Sequence, residues 1–331
     1  MRFDSTNLLD AANDEPAMFR SIIGRLGNQI ARFNGAIGLY TSAVIALEQD
    51  SFDVNILDEL QQPGPELVDF AQHFRQMAEQ LVRRRTQQAE MASAVAIQRA
   101  MLPNTQPASL VASLYDVFAY MMPAREVGGD LYDLVDLGDN KVLLTIGDVC
   151  GKGIPASLFM AVTQTVVRLT IRSDQNLKGE IEAANNLLMV NNTEDMFATL
   201  FCSVMDLNLG TMQYCNCGHN PPFLLKSRSR EFQPLRNCGP PLGLIENVNY
   251  FSQPVVLAPG DILLLYTDGV TEAEGHDRIQ FGTAGLQRAV LDVRDQSARS
   301  IVEHVVAEVT KFTNGAPQSD DITCIAVVRG Q

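Results

Sequence analysis

The chain has 331 residues and a mass of 36.3 kDa, more than one average domain needs, so we expect two folding units. Hydrophobic residues make up 46% and charged residues 19%, a composition that excludes a largely disordered or low-complexity protein. The 25 Lys and Arg against 39 Asp and Glu give a formal charge of −14, the wrong sign for attraction to a phosphate backbone, so we expect no nucleic-acid partner.

Targeting signals and cysteine usage predict a cytoplasmic protein. No apolar run approaches the roughly 20 residues that span a bilayer, so we expect no membrane span. The first residues lack the basic segment and following apolar run of a secretion signal, because acids such as Asp4 and Asp10 interrupt them. Six cysteines without a CxxC pair indicate free thiols in a reducing compartment.

The N-terminal third predicts two long helices, each with one apolar face. In both, apolar residues recur alternately every four and three positions, a seven-residue repeat that forms a seam along the helix. A connector with breaks at Pro63, Gly64 and Pro65 separates the helices. The seam residues are Phe19, Ile23, Leu26, Ile30, Phe33, Ile37, Tyr40, Val44 and Leu47 in the first helix, and Leu67, Phe70, Phe74, Met77 and Leu81 in the second.

Over about residues 35–82 this arrangement resembles a HAMP module, the parallel dimeric four-helix relay of bacterial signalling proteins. The stretches "ALEQDSFDV" and "PELVDFAQHFRQMAEQL" carry the resemblance. It implies a homodimer through the N-terminal helices; a helical hairpin that closes its core within one subunit is the alternative. We therefore predict an all-α regulatory region over 1–82, a helical connector over 83–103 that ends at Pro103, and a separate domain over 104–331.

After Pro103 the pattern changes to short apolar strands with both faces buried, separated by turns and helices. Sheets with helices on their outer faces, an α+β layer stack, are the expected architecture. The predicted strands are Val142–Ile146, Thr199–Met205, Ile262–Tyr266 and Ile322–Val328, and the predicted helices are Ile154–Arg172, Gly179–Asn191, Thr283–Asp292 and Ser297–Phe312.

Aspartates mark the ends of these strands. Asp130 follows two glycines, Asp148 and Asp268 end strands, and Asp320 and Asp321 open the last one. Crowded carboxylates repel one another unless they are protonated or neutralised, and oxygen ligands without Cys or His favour Mg²⁺ or Mn²⁺. The pattern indicates a two-metal site that hydrolyses a phosphate ester through a metal-activated water. Ordinary turn chemistry is the alternative for each Asp taken singly.

Six motifs in order, "VGGDLYD", "GDVCGKGIPASLFMA", "CNCGHNPPFLL", "GPPLGL", "LAPGDILLLYTDGVTEA" and "SDDIT", resemble metal-dependent (PPM-type) serine/threonine phosphatases of the bacterial RsbU and SpoIIE branch. The resemblance covers nearly all of residues 104–329. It implies an α+β fold in which helices flank a β-sandwich. It also implies a phosphoprotein phosphatase with two Mn²⁺ or Mg²⁺ ions, and a phosphorylated STAS-type anti-sigma-factor antagonist as substrate in partner-switching signalling. The alternative is a non-catalytic, dimeric scaffold that binds phosphoproteins.

Carried over by position, the family's ligand set implies that Asp148 bridges both ions. Asp130 and the backbone carbonyl of Val149 would hold one ion, and Asp268 and Asp320 the other. The residues expected to support these ligands from behind are Gly129, Asp133 and Asp321.

Several residues stay outside this assignment. Cys150 stands where eukaryotic relatives have the His proposed as proton donor, so no leaving-group acid is identified. We interpret Arg125 as a surface residue rather than a phosphate ligand. Cys215, Cys217 and His219 alternate as zinc ligands on a strand can, but "GHNPP" fits the turn of the family.

Overall fold

The computed structural model describes residues 20–28, 38, 41–42, 45–46, 68–103, 114–172, 175–190, 192–276 and 278–330. The chain divides into two compact units between Glu90 and Met91. The predicted boundaries near residues 82 and 103 stay predictions. Within the described ranges, no helix is long and apolar enough to cross a membrane.

In the first unit the described residues are helical. Residues 20–28 form a helix, and helix α1, Val68–Met101, continues past the unit boundary. This helix contains most of the predicted connector and ends two residues before Pro103, as the clash of proline with a preceding helical residue requires. The connector of the predicted HAMP module, including Pro63–Pro65, lies outside the described residues.

The second unit contains two antiparallel five-stranded sheets. The first has the order β1-β10-β9-β6-β7 and the second β2-β3-β4-β5-β8. The strands are β1 Tyr115–Met122, β2 Leu131–Gly138, β3 Lys141–Val149, β4 Ala198–Asp206, β5 Thr211–Cys217, β6 Phe223–Leu225, β7 Phe232–Pro234, β8 Gln253–Val256, β9 Ile262–Tyr266 and β10 Ile322–Arg329.

Helices cover the outer faces of the sheets. They are α2 Ile154–Thr170, α3 Leu177–Met189, the single turn α4 Asp268–Thr271, α5 Gly282–Asp292 and α6 Ala298–Thr313. Helix α2 packs on β2 and β3, and α6 packs on β1 and β10. The architecture confirms the predicted α+β fold, a β-sandwich flanked by helices.

Both faces of the central strands are buried, as predicted. In β9, Leu263 and Leu265 join the core between the sheets, where Phe201 of the opposite sheet also lies. Leu264 and Tyr266 point the other way, into a second core under α5 and α6. Because successive side chains of a strand point to opposite faces, the single apolar run of β9 contributes to both cores.

Candidate metal centre

Antiparallel pairing brings the predicted acids together in two pairs. Strands β2 and β3 pair so that Asp130, just before β2, stands beside Asp148, near the end of β3. Strands β9 and β10 pair with Tyr266 opposite Cys324, and Asp268, two residues after β9, is close enough to Asp320, two residues before β10, for the two charges to repel. Each sheet thus contributes one pair of carboxylates at one of its ends.

The two pairs lie close together, since the charges of the acids in one sheet shift the pKa of an acid in the other. Burial raises the pKa of Asp148 to about 7, and repulsion from Asp268 and Asp320 adds to the rise. Burial, followed by repulsion from Asp320, also raises the pKa of Asp268. The sandwich therefore collects carboxylates from separate stretches of sequence into one site where their charges oppose one another.

Asp130 is the most enclosed of these acids. Its side chain is 2% exposed, and burial, with repulsion from Asp148 next, raises its pKa well above the ordinary value. Two hydroxyl groups, those of Thr267 and Thr323, donate hydrogen bonds to its Oδ2, at 2.8 Å and 2.5 Å. These hydroxyls come from the end of β9 and from β10, so they tie Asp130, which precedes β2, to the opposite sheet.

Asp321 holds the glycine loop that precedes Asp130. Its Oδ2 accepts hydrogen bonds from the backbone N–H groups of Gly129, at 2.7 Å, and Asp130, at 3.3 Å, and its Oδ1 accepts one from Ala124. A Cβ at Gly128 would come within 2.2 Å of Asp321 Oδ2, so only glycine fits there. Asp321 supports the loop of Asp130 from behind.

The second glycine of the loop lies against the backbone carbonyl predicted as a ligand. A Cβ at Gly129 would lie 3.0 Å from the oxygen of Val149 and 3.4 Å from Oδ1 of Asp148. The N–H of Val149 donates to the carbonyl of Gly129 at 3.3 Å. A side chain at this position would crowd the space beside two of the predicted ligands.

Asp133 has a different environment from the other acids. Its buried carboxylate accepts two hydrogen bonds from Arg168 of α2, at 2.7 Å and 2.8 Å. Among the described residues, its hydrogen bonds reach Arg168 and its neighbour Leu134, not the acid cluster. The ion pair between Arg168 and Asp133 links α2 to β2.

Two residues at the site had no assigned role in the sequence. Lys152 donates to Asp320 Oδ2 at 2.8 Å and to the carbonyl of Ser319 at 2.6 Å. The side chain of Gln98 in α1 forms two hydrogen bonds with the backbone of Gly128. Its Nε2 donates to the Gly128 carbonyl at 2.7 Å, and the Gly128 N–H donates to its Oε1 at 3.2 Å. Lys152 could have been noticed in the sequence, because it lies in the motif "GDVCGKG" beside Asp148. Gln98 lies in no such motif, and its sequence position predicts only that it is helical.

The donor set fits cations that prefer oxygen. Four carboxylates and a backbone carbonyl converge, and burial, followed by repulsion between the acids, raises the pKa of three of them. Over the described residues, no group of three or more His, Cys, Asp or Glu side chains is arranged to hold a metal ion as it stands. For a cation to bind, the carboxylates would have to rotate and any protonated acid would have to lose its proton.

The residues left outside the assignment have other surroundings. Cys215 and Cys217 are buried with their sulfur atoms 3.6 Å apart, and the ring of His219 contacts Thr199. The sulfur of Cys150 accepts a hydrogen bond from the N–H of Phe197. Arg125 is exposed.

Comparison with known proteins assigns the chain to a family. The family model described as Stage II sporulation protein E (SpoIIE) matches residues 138–330. Protein IcfG of Synechocystis sp. is 30% identical over 320 residues, which cover 87% of this chain and 50% of IcfG. Phosphoserine phosphatase RsbU of Bacillus subtilis is 26% identical over 214 residues, 65% of this chain and 63% of RsbU. The chain thus spans about half to two thirds of the length of these curated relatives.

A solved structure confirms the architecture. The SiaA-PP2C domain of Pseudomonas aeruginosa matches with a TM-score of 0.65 at 21% identity, covering 75% of this chain and 98% of that chain. At this identity the match concerns the fold, which is the β-sandwich with flanking helices described above.

Proposed function

The chain belongs to the SpoIIE family, and from this premise we propose that it is a PPM-type phosphatase of the RsbU and SpoIIE branch that removes phosphate from serine or threonine residues of proteins. One observation carries the proposal: Asp130, Asp148, Asp268 and Asp320 meet at one end of the sandwich with raised pKa values at three of them. Such a cluster is costly for a purely structural site, since crowded carboxylates repel one another.

We assign the cluster to two Mn²⁺ or Mg²⁺ ions. In this assignment Asp148 would contact both ions, Asp130 and the carbonyl of Val149 would hold one, and Asp268 and Asp320 would hold the other. When bound, two such ions lower the pKa of a shared water and neutralise charge on the phosphoryl group.

The residues of the chain then have separate tasks. The hydroxyls of Thr267 and Thr323 orient the Asp130 carboxylate, and Asp321 keeps the glycine loop in place. Lys152 forms an ion pair with Asp320, so a cation would compete with its ammonium group for that carboxylate.

The test is Mn²⁺-dependent release of phosphate from p-nitrophenyl phosphate and from a phosphorylated protein. We expect turnover that chelation abolishes and that Asp268→Ala lowers by at least about 100-fold, because one ion loses a ligand. Asp295→Ala is the matched control, since Asp295 is an exposed acid, with 85% of its side chain accessible, and pairs only with Arg294 among the ion pairs of the described residues. No turnover of any phosphoester by the wild type would favour the non-catalytic scaffold.

For the substrate we propose a phosphorylated STAS-type antagonist in a partner-switching pathway. The relative RsbU is named a phosphoserine phosphatase, which supports a phosphoserine substrate. Phosphate release from phosphorylated antagonists of the same genome, with and without Mn²⁺, tests the assignment. Equal release from an unrelated phosphoprotein would contradict it.

We also propose a homodimer through the N-terminal helices, in the manner of a HAMP module. Described seam residues leave apolar side chains at the surface of the single chain: Ile23 is 62% exposed, Leu26 53% and Met77 48%. A second copy would cover such a face. A mass of twice 36.3 kDa in sedimentation equilibrium is the expected result. The six free cysteines, five of them buried, support the cytoplasm as location.

Within the second unit, Gln98 connects the C-terminal part of α1 to the metal centre. Gln98 binds the backbone one residue before Gly129 and two before Asp130, so a shift of α1 displaces the loop that carries a metal ligand. We expect Gln98→Leu to raise the Mn²⁺ concentration for half-maximal activity about tenfold, the size typical of lost support behind a ligand. The same substitution at exposed Gln88 of α1 is the control, and an equal response of both variants would contradict the coupling.

A further inference from the structure

His219 is a buried histidine that the metal assignment leaves without a task. It follows β5 in the "GHNPP" turn and is 4% exposed. Its backbone N–H donates to the side-chain oxygen of Asn216 at 2.8 Å, which fixes the turn and the position of the ring. Burial lowers its pKa to about 4, so the imidazole is neutral at physiological pH.

One side of the ring faces the strand next to the bridging acid. Its Nδ1 lies 2.9 Å from the hydroxyl oxygen of Thr199 on β4. Thr199 pairs directly with Asp148 across the β3–β4 ladder, and its hydroxyl lies 3.4 Å from the Asp148 carbonyl oxygen. The ring therefore reaches the backbone of Asp148 through a single side chain.

The other side of the ring faces the opposite sheet. The backbone of Tyr266, the last residue of β9, lies close enough to favour the protonated ring, which opposes the effect of burial. Nε2 itself has no hydrogen-bond partner among the described residues. Tyr266 precedes Asp268 by two positions. His219 thus lies between β4, the neighbour of the strand that carries Asp148, and β9, the strand that leads to Asp268.

We propose that His219 is a positioning residue for the metal centre, which sets the Asp148 backbone against β9 through Thr199. The inference rests on the proposed function, because it concerns the ligands of that site. A carboxylate that bridges two cations needs its strand held to within a fraction of an ångström, and groups behind the ligands supply that constraint. Packing alone would need a side chain of this size here, but not its hydrogen bond to Thr199.

The test compares three variants of the full chain by Mn²⁺ calorimetry and by turnover. Thr199→Val removes the hydroxyl and keeps the shape, and His219→Leu removes the ring nitrogens. His219→Asn keeps a polar atom near the position of Nδ1. We expect the first two to raise the Mn²⁺ Kd about tenfold, and His219→Asn to stay within about threefold of wild type. The Thr199→Val, His219→Leu double variant should be no weaker than the worse single variant, because both act on one hydrogen bond.

Thr163→Val is the matched control. Thr163 is fully buried in α2, and its hydroxyl has no hydrogen-bond partner within the described part of the chain. It lies about 14 Å along the helix from Ile154, where α2 begins six residues after Asp148. It should leave the Mn²⁺ Kd unchanged. If His219→Leu does not fold, Thr199→Val decides alone.

Three outcomes overturn the inference. Wild-type Mn²⁺ binding with an unchanged Kd in Thr199→Val and His219→Leu overturns it and leaves the proposed function standing. A wild type without Mn²⁺ uptake overturns both. A Kd that rises equally in Thr163→Val would reduce the effect to general loss of packing.

Discussion

Asp148→Asn should lower Mn²⁺-dependent turnover by about 1000-fold, the consequence of losing about 4 kcal/mol of charge stabilisation in the transition state. The substitution keeps the shape of the side chain and removes the charge assigned to bridge both ions. Single-turnover phosphate release at saturating Mn²⁺ measures it. Asp295→Asn, at an exposed acid, should leave turnover unchanged, and a loss below about tenfold in Asp148→Asn would remove the bridging role.

The same variant should be more stable than the wild type when no metal is present. The pKa of Asp148 is about 7 in the folded protein against an ordinary value of 3.8, so the native state holds a proton that the unfolded state has lost between these pH values. Stability of the wild type therefore falls as pH rises from about 4 to about 7. At pH 8 the asparagine variant should melt about 4 °C higher, and the difference should vanish near pH 4. Equal melting temperatures at both pH values would contradict a charge conflict at this site.

Mn²⁺ affinity should fall steeply as pH drops below about 7. Cation binding requires the ionised form of Asp148. The apparent affinity for Mn²⁺ therefore falls about tenfold for each pH unit below the pKa of this acid and is independent of pH above it. Asp130, whose pKa is also raised, steepens the dependence. We expect a Kd at pH 5 at least about 100-fold above that at pH 8.

Calorimetry across pH in two buffers of different ionisation enthalpy measures both the Kd and the number of protons released. Asp148→Asn is the informative comparison, because its residual binding should release fewer protons. A Kd independent of pH between 5 and 8 would show that no buried acid ionises on metal binding.

The sequence predicted central strands well because their signal is local. The run "ILLLY" of β9 is apolar on both faces, and the predicted Ile262–Tyr266 is the observed strand. Strand β2, "LYDLVDLG", was missed, since its polar and apolar residues alternate only weakly. Strand β1, "YDVFAYMM", also lacked a clean pattern, and its burial depends on pairing with β10, some 200 residues further along the chain.

Asp321 was expected beside the ligands, but the two threonines that bind Asp130 could not be predicted, for a related reason. Thr267 and Thr323 bind Asp130 across 137 and 193 positions of sequence, and a threonine in a strand is ordinary by itself. Asp133 carried the same motif signal as Asp130, yet its carboxylate binds Arg168 of α2. Only packing of α2 against the sheet distinguishes the two acids.

The order of residues by itself fixed which acids stand at strand ends, and antiparallel neighbours such as β2 with β3 or β9 with β10 then join them two by two. The tertiary structure alone decided that the two pairs meet, because this requires two sheets to pack face to face over a shared apolar core. It also decided how unfavourable their charges are: burial, a property no short motif contains, is the largest cause of the raised pKa of Asp148. The chemistry proposed for this chain depends on that burial.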